Sequence, residues 1–153
     1  MPTSRAIQNN EPAGSPTGLL LGLTGALFAL LVLNLAVFDD LRVDPTAGVL
    51  ETFTKPQHLA SLVAVLIAAA LLTFKHRAAT RVTLAVAWIE IAAFTFFHAI
   101  PIEAGPSKPY WGAGMGDALQ WFGLLSIIAV SIAIVRAGRS PSRALTPAVA
   151  SVR

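Results

Sequence analysis

The chain contains no cysteine, a single tyrosine and few charges, with only 12% of its 153 residues being Asp, Glu, Lys or Arg. The absence of cysteine excludes disulfides, thiolate metal sites and cysteine nucleophiles, and leaves the redox compartment open. The charged share is about half that of an ordinary soluble domain, so a conventional water-facing surface is excluded. Long polar stretches are also missing. The largest are an N-terminal tail of 17 residues, a loop of about 19 and a C-terminal tail of about 16, none of which can hold an aqueous domain.

What is abundant is apolar: 55% of the residues are hydrophobic, and the mean hydropathy is +0.68. They gather into four stretches, about 18–38, 58–74, 82–100 and 118–137, each long enough to cross ~30 Å of hydrocarbon as a helix. The expected fold is therefore an all-α integral membrane four-helix bundle, antiparallel and up-down-up-down. It is flanked by a flexible cytoplasmic tail (1–17) and a disordered cytoplasmic tail (138–153). The first stretch reads as a retained span and not as a cleaved signal, because it is long and is followed by Asp39 and Asp40 without a small-x-small site.

Charge placement gives the orientation. Arg5, Lys75, Arg77, Arg81, Arg136, Arg139, Arg143 and Arg153 fall on one side of the spans; Arg42, Lys55 and Lys108 fall on the other. The positive-inside rule then puts both termini in the cytoplasm, in a plasma (cytoplasmic) membrane. The net charge of +3 is explained by this topology, so nucleic acid is not expected as a partner. The expected partners are the lipid bilayer and either other membrane subunits or a second copy. Gly18, Gly22 and Ala26 on span one, and Ala60, Ala64 and Ala68 on span two, form small-residue rows that permit close helix approach.

Helix starts are marked. Ser15-Pro16 supplies a cap and a proline at the first helical position. Thr54-Lys55-Pro56-Gln57 and Asp117-Ala118-Leu119-Gln120 both fit capping boxes, which also suggests a duplicated hairpin. Thr80 is placed to cap span three, and Pro101 to end it. The five-residue link Lys75–Ala79 forces spans two and three into a hairpin.

Within this frame a few polar residues need explanation. Glu90 lies near the middle of span three, where a charged carboxylate costs about 2.5–3.5 kcal/mol on insertion scales. It must be protonated, paired or facing a wet cavity. Asn34 and His98 are the nearest polar candidates. Glu90 and His98 are separated by about 12 Å along a regular helix and roughly 80° around it. His58 and His98 suit proton exchange or ligation, because imidazole titrates near neutrality. We therefore take Glu90 and His98 as candidate acid–base residues, with Asn34, His58, Trp111 and Trp121 as candidate ligand-binding residues. His58, His98, Asp39 and Asp40 are candidate ligands for a divalent metal, and the two histidines could clamp a haem. The plain explanation of the boundary groups is solvation, since no H-x-x-x-H or E-x-x-H pair is present. His76, in the basic link, is expected to be only solvated. The segment 105–116, with its glycines, Tyr110 and Trp111, reads as an outer loop on the bilayer surface, not a phosphate loop.

Two functions from different classes fit this pattern. One is a non-catalytic subunit or lipophilic-ligand-binding protein with a polar site in the outer half of the bundle. The other is a small membrane-embedded enzyme using Glu90 and His98 or His58 as acid, base or metal ligands. A proton-coupled transporter is a third. Convergence discriminates between them: a cavity joining Glu90 and Asn34 to His58 and His98 favours a ligand site or enzyme, whereas a lipid-facing Glu90 favours a subunit.

Overall fold

The structure, a computed structural model, describes residues 16–43, 45–46, 48–99 and 117–140. Among the described residues it is all helical, with no strand. Helix α1 (Pro16–Leu33) continues through a π turn (Asn34–Phe38) and is followed by α2 (Asp40–Val43), α3 (Val49–Thr54) and α4 (Pro56–Thr73). Next come α5 (Ala79–Phe94), extended by a second π turn (Thr95–Ala99), and α6 (Ala118–Arg139). Four helical spans are long and apolar enough to cross a membrane: Pro16–Arg42, Pro56–Thr73, Ala79–Ala99 and Ala118–Arg139. The two tails and the segment around Pro101, Glu103, Tyr110 and Trp111, together with Ser15, lie outside the described residues.

Each long helix packs against two others, in the cyclic order α1–α4–α5–α6. The shared core repeats at helical spacing: Leu20, Leu27 and Leu31 from α1, Val65, Ala68 and Leu72 from α4, Val86 and Ala87 from α5, and Ile127 and Ile134 from α6. The outward faces are apolar too, with Leu66, Ile67, Ile89, Phe122 and Leu125 all exposed. Polar groups are instead drawn inward: Thr24, Asn34, Thr83, Glu90 and Ser131 are buried. Thr24 and Thr83 donate to the carbonyls one turn back, Leu20 and Ala79, which satisfies each hydroxyl within its own helix.

Helix starts are resolved unequally by the local sequence. The Asp117 box forms in full: the Asp117 carboxylate accepts from the Leu119 and Gln120 amides, and the Gln120 side-chain oxygen accepts from the Asp117 amide at 3.0 Å. The expected Thr54 box does not form. Thr54 ends α3 and its hydroxyl donates back to the Leu50 carbonyl at 2.7 Å, so Lys55 becomes the residue preceding α4, with Pro56 at its first position. The duplicated-hairpin idea thereby loses one of its two boxes. Thr80 does not cap either, because α5 already starts at Ala79 with Ala78 before it.

The link between α4 and α5 is a Schellman turn. The His76 amide donates to the Leu71 carbonyl at 2.9 Å and the Lys75 amide to Leu72 at 3.1 Å. Lys75 takes the left-handed position with φ of 51°, where glycine is usual. His76 does more than face solvent: its Nδ1 accepts from the Ala78 amide at 3.2 Å, and so helps to start α5.

The small-residue rows also divide. Gly18, Gly22 and Ala26 are exposed, and a Cβ on Gly22 would meet nothing within 4 Å, so this row is not closely packed among the described residues. Ala60, Ala64 and Ala68 wind from exposed to buried along α4. The close approach lies elsewhere, at Gly123 on α6, where a Cβ would fall 2.7 Å from Asn34 Oδ1 and 2.9 Å from Phe38 Cδ2.

Candidate functional site

A cavity of about 490 Å³ opens among α1, α4 and α5, with α6 contributing none of its lining. That volume lies within the ~300–1,000 Å³ usual for small-molecule sites. Its walls are mostly apolar, with Leu31, Leu35, Leu62, Val86, Phe94 and Phe97 among them. The polar lining is Asn34, Asp39, Asp40, Lys55, Gln57, His58, Ser61, Glu90 and His98. Asn34, Asp39, Asp40, His58, Glu90 and His98, placed on three different segments by sequence reasoning, thus border one space. Trp121, half-buried in the first turn of α6, is not part of the lining, and Trp111 lies outside the described residues. Along α5 the lining runs from Val86 to His98, about 18 Å of helix, with Glu90 near its deep end.

Two π turns shape the site. The first, at Asn34–Phe38, closes with the Asp39 amide on the Asn34 carbonyl at 2.8 Å. The second, Thr95–Ala99, carries His98. A regular helix would hold Glu90 and His98 about 80° apart. The wider π turn advances less around the axis per residue, so His98, inside that turn, is rotated back toward the face that carries Glu90. Such turns recur at functional sites, and here both sit on the cavity wall. Nothing in the residue pattern marks them. Ser61, Phe94 and Phe97 were also missed as lining residues, because serine and phenylalanine in an apolar run carry no distinguishing signal.

The chain breaks at Asp39, with φ of −133° and ψ of −99°, and restarts as α2. The break sends two consecutive acids toward different helices. Asp39, buried, accepts from Gln120 Nε2 on α6 at 2.6 Å. Asp40 faces Lys55 Nζ and His58 Nε2, each at 3.7 Å. Arg42 extends the first connection, donating through Nε to the Phe38 carbonyl at 3.2 Å and forming an ion pair with Asp117 at 2.6 Å. The Gln120 amide holds the exposed Asp117 carboxyl below the usual carboxylate range; desolvation, next in size, opposes it, and the Arg42 guanidinium and the Leu119 amide add to the lowering.

His58 is held in a defined form. Its Nδ1 lies 2.7 Å from the Thr52 carbonyl, which can only accept, so Nδ1 carries the proton and Nε2 is left facing Asp40. His98 stacks obliquely on Phe94, with ring centroids 5.6 Å apart. Although His58, His98, Asp39 and Asp40 share the cavity, no three His, Asp or Glu side chains among the described residues converge as a metal-holding group. The reason is visible in the bonding: Asp39 is turned to Gln120, Asp40 to Lys55 and His58, and one nitrogen of His58 to a backbone carbonyl.

Glu90 and Asn34 stand outside this bonded network. Glu90 is 1% exposed, and neither of its carboxyl oxygens has a hydrogen-bond partner among the described residues. The Ser61 hydroxyl approaches it from α4 without meeting hydrogen-bond geometry. Asn34 Oδ1 is likewise buried and unpartnered, pressed toward Gly123. Trp88, two residues from Glu90, is exposed, and the Arg139 guanidinium lies 5.5 Å over its ring. Comparisons with known protein families, with curated proteins and with solved structures give no match.

Proposed function

We propose that this protein is an integral membrane, antiparallel four-helix bundle with both termini in the cytoplasm. Its outer half binds a lipophilic ligand without transforming it. The observation that carries this reading is the 490 Å³ cavity with the unpartnered Glu90 carboxyl in its wall. Apolar walls suit a lipophilic body, and a buried carboxyl without a partner is a costly feature unless something else supplies one. Apolar outward faces on all four spans and the basic excess on one side support the membrane placement. A partner helix laid over Glu90 is not needed, since Glu90 borders a space within the chain. The exposed Gly18-Gly22-Ala26 row stays available for a second membrane subunit or a second copy.

The test is native mass spectrometry of the protein released from lipid nanodiscs, beside an Ala64→Leu variant that fills the cavity. A co-purifying lipophile retained by the parent and lost from the variant is expected. A ligand-free parent that binds no added lipophile would refute the reading. Orientation has its own test, made simple by the absence of cysteine. A membrane-impermeant maleimide added outside intact cells should label Thr46→Cys and not Arg77→Cys; the reverse pattern would invert the topology.

A second reading, a membrane-embedded enzyme, draws on one observation: His58, with Nδ1 pinned and Nε2 free to exchange a proton, lines the same space as Glu90. Turnover of the co-purified lipophile, abolished in both Glu90→Gln and His58→Gln, would favour it.

A further inference from the structure

We infer that the cavity selects lipophilic amines, with the ligand's ammonium group seated on Glu90 and its alkyl chain lying along the apolar walls. This deepens, and rests on, the ligand-binding reading above. Acids outnumber bases in the lining: Asp39, Asp40 and Glu90 against Lys55, with His58 and His98 beside them. The protein has matched the first two acids itself. Asp39 receives Gln120, and Asp40 is flanked by Lys55 and His58. Glu90 alone has neither a bonded donor nor a charged neighbour: the Ser61 hydroxyl approaches it outside hydrogen-bond geometry, and its two enclosed oxygens meet no partner among the described residues. What the Glu90 carboxyl lacks is a bonded donor and an adjacent positive charge, and an ammonium group brings both.

The other head groups fit less well. A carboxylate or phosphate head would meet three acids in the wall and add acceptors where acceptors already go unmet. A hydroxyl supplies one donor and no charge. A quaternary ammonium brings charge but no N–H. Depth argues further for a long-chain amine over a membrane phospholipid. Glu90 lies about 12 Å of helix below His98, whereas the amino group of a phospholipid stays at the headgroup level.

The experiment is titration of the full chain in nanodiscs, with empty nanodiscs subtracted, using four probes of one chain length: dodecylamine, dodecanol, dodecanoate and dodecyltrimethylammonium. Dodecylamine should bind at least about tenfold more tightly than each of the others, the difference expected of charge-assisted hydrogen bonds. Glu90→Gln, close in shape, should erase that preference and keep the binding of dodecanol. Glu90→Asp should keep part of the preference, and thermal melts identify any variant that has merely lost its fold. Equal or tighter binding of dodecanol or dodecanoate overturns the amine assignment and leaves a ligand-binding protein. A preference that survives in Glu90→Gln overturns the role of Glu90. Tight dodecyltrimethylammonium binding would show that charge suffices and refute the donor argument. Binding of none of the four refutes the ligand-binding reading itself.

Discussion

Replacing three glycines in turn by alanine tests the packing on which the cavity depends. At Gly123 the added methyl would fall 2.7 Å from Asn34 Oδ1, 2.9 Å from Phe38 Cδ2 and 3.1 Å from Phe38 Cβ. The last atom is fixed to the backbone of the first π turn, so α6 and that turn must separate by a few tenths of an ångström. Overpacking of this kind costs about 1–3 kcal/mol. Alanine returns about 0.5–1 kcal/mol through helix propensity. The net expectation is a loss of about 1–2 kcal/mol, together with displacement of Asn34 from the cavity wall. At Gly138 the methyl meets Leu84 Cδ2 at 2.8 Å, but that is the end of a side chain able to rotate, so the loss should be smaller. At Gly22 nothing lies within 4 Å, and only the propensity gain remains. The stability order should be Gly22→Ala, then Gly138→Ala, then Gly123→Ala. Reversible unfolding in mixed micelles with rising SDS fraction, followed by tryptophan fluorescence, measures it. A Gly123→Ala protein as stable as the parent, or a Gly22→Ala protein as weakened as Gly123→Ala, would refute the packing described.

Lys75→Gly should raise stability by about 1 kcal/mol in the same assay, since Lys75 holds a left-handed φ of 51° that glycine adopts freely. Gln120→Leu should lower it by about 2–3 kcal/mol, through loss of the bond that closes the Asp117 box and of the donor to buried Asp39; Asp39→Asn in the same background should recover part of that loss. Asp117 has a folded-state pKa depressed below its ordinary value, so its stabilisation is complete above that ordinary value and fades as pH falls through the folded one. Acid unfolding profiles should therefore show a component below about pH 4 that vanishes in Asp117→Asn, a substitution that keeps a good capping side chain.

The legible parts of this structure were those fixed by short-range chemistry. Four spans were readable from length and hydropathy alone, and their ends differ from the described helices by at most four residues. The Asp117 box was readable because both of its partners lie within four residues. The same pattern at Thr54 misled, because α3 is only six residues long, shows no periodicity, and claims the Thr54 hydroxyl for itself. Glu90 stood out because an acid in an apolar run is rare. That Glu90, Asn34, His58 and His98 border one space depends on two π turns and on the break at Asp39, and residue types alone encode neither. The opposite destinations of Asp39 and Asp40 were invisible for the same reason: in a continuous helix adjacent residues lie about 100° apart, whereas the break lets them turn to different helices.

Helix α6 supports the cavity wall without lining it, and this has a consequence for how substitutions should be tolerated. At the polar lining positions Asn34, His58, Glu90 and His98 the constraint is what the side chain can donate, accept or ionise. On the inner face of α6 the constraint is volume: Gly123 admits no larger residue, while Ile127 and Ile134 only need to fill their space. A saturation library scored for ligand retention should therefore separate into two regimes. At the polar lining positions size-matched polar-to-apolar exchanges fail, and at the apolar core positions of α6, Ile127 and Ile134, any apolar side chain of similar size is accepted.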